Sequence, residues 1–130
     1  MKKLFTIAFM ICCFCLNLEA TRANDTVIIS SVDTAKQASL EEDKPLLLIF
    51  SADWCKPCKN LHDDIDANLE EVASKYIVCH VDYDTNKELA RKYGVTAIPN
   101  TVILRKNDFF RINQKLGYSN YSSYKRWLGL

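Results

Sequence analysis

The chain has 130 residues, enough for one domain and little more. Hydrophobic residues make up 48% and charged residues 25%, an ordinary globular mixture that excludes a disordered or collagen-like chain. Lys and Arg total 17 and Asp and Glu 16, and the resulting +1 gives no support for a nucleic-acid reader, which needs a strongly basic face. The six cysteines are too few and too irregular for a small disulfide scaffold, so their positions matter more than their number.

Met1-Lys2-Lys3 is a short positive start, and Leu4 to Leu18 is almost wholly apolar. Glu19 to Ala23 is polar, with Thr21 and Ala23 where a signal peptidase takes small side chains. Residues 1–23 thus have the three-part layout of a secretory signal peptide. The apolar run is shorter than the roughly 20 residues of a membrane span. An uncleaved anchor or a buried N-terminal helix is the rival reading. Cys12, Cys13 and Cys15 lie inside the run without a Leu three places before them, which argues against a lipoprotein. The Lys-Lys start favours bacterial export, to the periplasm of a Gram-negative cell or otherwise to the envelope or medium.

Cleavage after Ala23 leaves a domain of residues 24–130 and takes the net charge from +1 to −1, because Lys2, Lys3, Arg22 and Glu19 are lost. Cys55, Cys58 and Cys79 remain. Disulfides persist in an exported compartment, and an odd cysteine count there points to reacting thiols rather than a set of structural bridges.

In the mature chain, Val27 to Ser30 reads as a short strand. Thr34 to Lys44 reads as a polar helix with Ala35, Ala38 and Leu40 inward, stopped by Pro45. Leu46 to Phe50 is the continuous apolar run of a strand covered on both faces. From Cys55 to about Lys75, the stripe Leu61, Ile65, Leu69, Val72 and Tyr76 predicts one amphipathic helix. Ile77 to Tyr83 is the next strand. Thr85 and Glu88 have capping-box spacing and open a helix through Leu89, Ala90 and Tyr93, ended by Gly94. Thr101 to Leu104 and Phe109 to Gln114 are strands joined by a turn at Lys106-Asn107-Asp108. Gly117 breaks the pattern, and Asn120 to Leu128 closes the chain as a helix with Tyr121, Tyr124 and Leu128 inward. The order predicts an α/β domain, one central mixed sheet with helices on both faces.

The chemistry is in Trp54-Cys55-Lys56-Pro57-Cys58, at a strand-to-helix junction. A first cysteine at a helix N-terminus meets unpaired N–H groups and the positive end of the macrodipole, which favour its thiolate. A second cysteine one turn on is close enough to form a disulfide. Cys55 is therefore the expected nucleophile, and Cys58 the group that resolves the mixed disulfide. Lys56 adds positive charge beside Cys55, and Pro57 stiffens the first turn. Haem attachment needs a His after the second Cys, where Lys59 stands. Zinc needs four converging ligands. Cys79 and His80 are strand neighbours and point to opposite faces; His62, one turn after Cys58, could join such a site, but a surface histidine is the favoured reading.

The segment SADWCKPCK resembles the active-site segment of the thioredoxin superfamily, and Tyr93-Gly94-Val95-Thr96-Ala97-Ile98-Pro99 resembles its cis-proline loop. The spacing from Cys55 to Pro99 matches without a gap, and the likeness covers about residues 27 to 128. The resemblance implies a thioredoxin fold and thiol–disulfide exchange on protein substrates, with no cofactor beyond the cysteines. It implies a cis bond before Pro99, with the Ile98 backbone pairing with substrate. It further implies a substrate-side aromatic in Trp54, held by Asp84, and a glycine at Gly117 that admits a partner chain. For Ile98-Pro99 and Gly117 an ordinary turn is the alternative, and for Asp84 a solvated acid at a helix start.

Four positions depart from the family. A buried Asp usually stands six residues before the first cysteine, where Ile49 is found. Its usual Lys partner is replaced by His80, the kink proline by Asp63, and the Thr after the cis-proline by Asn100. Two readings of His80 stand side by side: a general base near neutral pH that substitutes for the missing acid, or a side chain that fills vacated space. Cys79, among Ile77, Val78 and Val81, reads as a small core hydrophobe, with a regulatory or intermolecular thiol as the alternative. Three functions are open: an exported reductase fed by a membrane electron donor, an oxidase or isomerase, and a non-catalytic binding module. The expected state is a monomer.

Overall fold

The computed structural model describes residues 27–130. Residues 1–23, read as the export signal, lie outside the described residues. Its elements are α1 (Val32–Glu41), β1 (Leu46–Ser51), α2 (Lys56–Ala67), α3 (Leu69–Lys75), β2 (Ile77–Asp82), α4 (Lys87–Lys92), β3 (Asn100–Leu104), β4 (Arg111–Leu116) and α5 (Tyr121–Leu128).

The all-apolar strand β1 lies inside the sheet, whose order is β2-β1-β3-β4. It pairs in parallel with β2 and antiparallel with β3, and β4 pairs antiparallel with β3. A continuous apolar run suits that place because both its faces are covered. Leu46, Leu48 and Phe50 join Cys79 and Val102 in one core layer with Ala35 and Ala90. Leu47 and Ile49 join Val78 and Ile103 in the other, against Leu61, Ile65 and Tyr124. The mixed sheet with a helical layer on each face is the α/β architecture that the element order predicts.

Several local expectations are corrected. Val27 to Ser30 forms only a single bridge, Ile29 to Cys79, at the outer edge of β2. In α1 the inward residues are Ala35 and Ser39, one helical turn apart, and Leu40 is 55% exposed. Ser39 is buried because its hydroxyl donates to the Lys44 carbonyl, tying the helix end to the turn before Pro45. The stripe from Leu61 to Tyr76 runs over two helices, because Asn68 leaves the helical conformation (φ −122°, ψ 26°). Its side-chain amide donates to the Asp64 carbonyl, the local competition with the ladder that makes Asn a poor interior residue. Glu70 and Glu71 then occupy the favourable first turn of α3.

The expected capping box at Thr85 and Glu88 does not form. Asn86 is the N-cap of α4, and its backbone and side-chain N–H groups both go to the Asp82 carbonyl. β4 starts at Arg111 rather than Phe109, because Phe109 sits at φ +54° in the turn that Arg105 and Asp108 brace with an ion pair.

Helix α5 is locked down by polar groups as well as by Tyr124 and Leu128. The Tyr124 and Thr101 hydroxyls share a buried hydrogen bond of 2.8 Å, and the Tyr76 hydroxyl donates to the Leu128 carbonyl at 2.7 Å. Glu71 accepts from Tyr121 and pairs with Lys125. Tyr124→Phe strands the buried Thr101 hydroxyl. It should cost about 1–2 kcal/mol, a fall in Tm of roughly 5–10 °C in a calorimetric scan of the folded domain.

Candidate active site

Strand register assembles the site. Phe50 lies opposite Asn100, and Ser51 opposite Asp82. The chain leaving β1, the chain leaving β2 and the chain entering β3 therefore meet at one end of the sheet. Asn100 also faces Leu116, which brings Gly117 to the same end, and the Gly117 N–H donates to the Pro99 carbonyl at 2.8 Å. Trp54, Cys55, Asp84, Ile98, Pro99 and Gly117 are far apart in the sequence and share this edge.

Cys55 is the N-cap of α2, with Lys56 and Pro57 in the first turn. It forms a disulfide with Cys58, the Cα atoms 5.3 Å apart. Cys55 is 6% exposed and Cys58 1%, so Cys55 is the more accessible of the two sulfur-bearing residues. Trp54 stands out at 70% exposure, and its indole N–H donates to Asp84 at 2.8 Å. That hydrogen bond, followed by one from Lys87, holds the Asp84 carboxyl below its ordinary value. The Ile98–Pro99 peptide bond is cis. Gly117 has φ +79° and open space where a Cβ would stand, so backbone conformation rather than crowding favours glycine there.

Cys79 is fully buried in the opposite core layer, and burial pushes its thiol up to about 12. It is inert at neutral pH. His80 sits beside Ile49 in register, on the α2 side of the sheet. Burial, and then the neighbouring His62, lower His80 to about 4. His62 is not a free surface residue: its ring stacks on His80 at 4.0 Å with an interplanar angle of 22°, and its Nε2 is buried. Among the described residues no three His, Cys, Asp or Glu side chains are grouped to hold a metal ion.

A polar clamp, which the sequence pattern does not single out, also holds the site. The Arg111 guanidinium donates to the Tyr93 carbonyl and to the Gln114 side-chain oxygen, both at 2.6 Å. The Gln114 amide donates to the buried Asn100 side-chain oxygen at 3.0 Å and to the Gly94 carbonyl at 3.4 Å. Edge strand β4 thereby holds both ends of the loop that carries Ile98-Pro99. The only signal in the sequence was polar residues alternating along β4, which an exposed edge strand explains equally well.

The thioredoxin family profile matches residues 26–128. The chain is 36% identical over 93 residues to the thioredoxin of Rickettsia felis, covering 72% of this chain and 87% of that one. It is 35% identical over 75 residues to thioredoxin-1 of Drosophila melanogaster, covering 58% and 70%. The crystal structure of the germline thioredoxin Deadhead from that fly superposes with a TM-score of 0.63 at 28% identity, covering 79% of this chain and 96% of that one. The Malassezia sympodialis thioredoxin gives the same score at 26% identity, covering 78% and 88%. This chain belongs to the thioredoxin family. It is a thiol–disulfide oxidoreductase of thioredoxin fold, and protein disulfides are its substrate class.

Two outcomes follow from this geometry. A histidine held low in the folded state stabilises it fully above its unfolded value near 6.5, and that contribution is lost as pH falls towards 4. His80 alone should make the protein about 2 kcal/mol less stable at about pH 5 than at about pH 7.5 in urea titrations, and His80→Phe should remove that difference. Gln114→Leu leaves the Asn100 side chain unpaired. It should cost about 1–3 kcal/mol and slow reduction of a protein disulfide more than that of a small aromatic disulfide.

Proposed function

We propose that this chain is an exported reductase of protein disulfides. The observation that carries the chemistry is the Cys55–Cys58 pair at the N-terminus of α2, at the sheet edge shared with the Ile98-Pro99 loop. The Cys55 thiolate attacks one sulfur of the substrate disulfide and expels the other as a thiolate. The Cys58 thiolate then attacks Cys55 Sγ, the substrate's remaining sulfur leaves with its electron pair, and Cys55–Cys58 is oxidised by the two electrons the substrate gains. Trp54, the Ile98 backbone, Pro99 and the open space over Gly117 form the docking edge for an extended substrate segment. The protein works as a monomer and is returned to its dithiol by a membrane electron donor.

Export rests on residues 1–23, whose positive start, apolar run and small-residue close fit a cleaved signal. Intact mass of the protein recovered from a bacterial envelope fraction should correspond to residues 24–130. The full-length mass would refute cleavage.

Similarity to thioredoxins supports the reducing direction, while Lys56 and the apolar Ile49 are also compatible with the more oxidising couple of an oxidase or isomerase. Equilibration with glutathione decides between them. A potential of about −270 mV fits reduction, and one of about −120 mV fits oxidation. Cys58→Ser should accumulate mixed disulfides through Cys55, identifiable by mass spectrometry after alkylation. Cys55→Ser should abolish both trapping and turnover, whereas a non-catalytic module would keep its function.

A further inference from the structure

The second half of the exchange needs a thiolate at Cys58, which is buried at the first turn of α2. On β1, Ile49 stands in register with His80 and is fully buried among Leu61, Ile65 and Val78, so that strand offers no carboxylate to this layer. Two imidazoles lie in that region instead. His62 follows Cys58 by four residues on α2, the spacing that puts side chains on one helix face. His80 projects from β2 towards the same helix, and the two rings are stacked at 4.0 Å. The Nε2 atoms of both are buried without a hydrogen-bond partner. A buried polar atom left unpaired is costly and calls for a reason. The structure holds the disulfide, in which the Cys58 sulfur has no proton to donate. Reduction puts a proton on that sulfur, a donor on the helix face that also carries His62.

We propose that His62 accepts the proton of the Cys58 thiol in the resolving step, and that His80 is the ring on which it is held. The inference rests on the dithiol exchange proposed above, in either direction.

The surroundings choose between the two rings. Burial lowers His62 on balance; Asp66, Asp63 and Asp53 act against it and favour the imidazolium, and Lys59 opposes them. For His80, burial and the neighbouring His62 both oppose the charged form. β1 contributes only Ile49 and Ser51 here, and the cavity of about 330 Å³ beside His80 adds Ser30, Asp53 and Asp82. Asp82 is strand β2's own carboxylate, two residues on from His80. In the step, the S–H bond of Cys58 breaks and His62 Nε2 takes the proton, the ring carrying its other hydrogen on Nδ1. The freed electron pair forms the bond to Cys55 Sγ, and the substrate thiolate departs. The imidazolium proton passes to that thiolate or to water.

The test is stopped-flow oxidation of the reduced protein by the aromatic disulfide DTNB. Its first phase is attack by Cys55, and its second, independent of DTNB concentration, is attack by Cys58. In the wild type the second rate should reach a plateau above the His62 ionisation and stay level up to the thiol ionisation. In His62→Gln it should rise about tenfold per pH unit instead, about a hundredfold below the wild type near neutral pH and converging with it where the thiol is fully ionised. His80→Phe should keep the plateau shape at a height lowered a few-fold. A His62→Gln profile parallel to the wild type at every pH would overturn the proposal, because a merely structural residue lowers all rates alike. So would loss of the plateau in His80→Phe with its retention in His62→Gln. The DTNB readout is independent of whether the physiological direction is reducing, so a measured potential near that of an oxidase would revise the function and leave this assignment standing.

Discussion

The pairing of β1 with both of its neighbours sets the register in which Phe50 faces Asn100 and Ser51 faces Asp82. A slip of one residue would turn Leu46, Leu48 and Phe50 into the layer now filled by Leu47 and Ile49. The two layers differ, one built on α1 and α4 and the other on α2, α3 and α5, so the alternatives are far apart in energy. With the register held, the exits of β1 and β2, the entry of β3 and the end of β4 meet at one edge. The reactive pair, the cis-proline loop and Gly117 are brought together by the strands beneath them.

Around that edge, burial sorts three sulfur atoms into two kinds. Cys55 and Cys58 sit at a helix N-terminus, where backbone N–H groups favour negative charge. Cys79 is one strand away in the opposite layer, and burial pushes its thiol up to about 12. The same desolvation acts on His80, held neutral down to about 4. With an apolar residue at Ile49, the ionisable groups in this layer next to it are the stacked imidazoles of His80 and His62, and burial disfavours the charged form of both. The clamp from Arg111 and Gln114 works at the other side of the edge. It satisfies Asn100, Tyr93 and Gly94, and so holds a loop that has few backbone hydrogen bonds of its own.

Strong local signals in the sequence coincide with the structure. The run Leu46 to Phe50 is a strand buried on both faces, and Cys55 caps a helix opened by Lys56-Pro57. Asn120 caps α5 through the Ser123 N–H, and Gly94 and Gly117 both adopt positive φ. The misreadings fall where a side chain chose a partner that periodicity does not record. Asn68 broke a helix whose apolar stripe continues across it, and Asn86 displaced Thr85 as a cap. Ser39 was turned inward by a carbonyl five residues on, and Leu40 outward. His62 stacks on His80 although its place on the helix suggests a surface residue, because helix spacing says nothing about a ring arriving from β2.

The sequence by itself determined the chemistry: two cysteines three apart after a buried strand, and a proline at a matched distance. Those features are local, since a helix N-terminus and a disulfide loop are built from a few neighbouring residues. Only the tertiary structure decided which distant groups serve that pair. Asp84 reaches Trp54, Gln114 reaches Asn100 and His62 meets His80 because strand register and helix docking bring them within a few ångströms. Hydrogen bonds and ring stacking act only over that range, and no pattern along the chain encodes it.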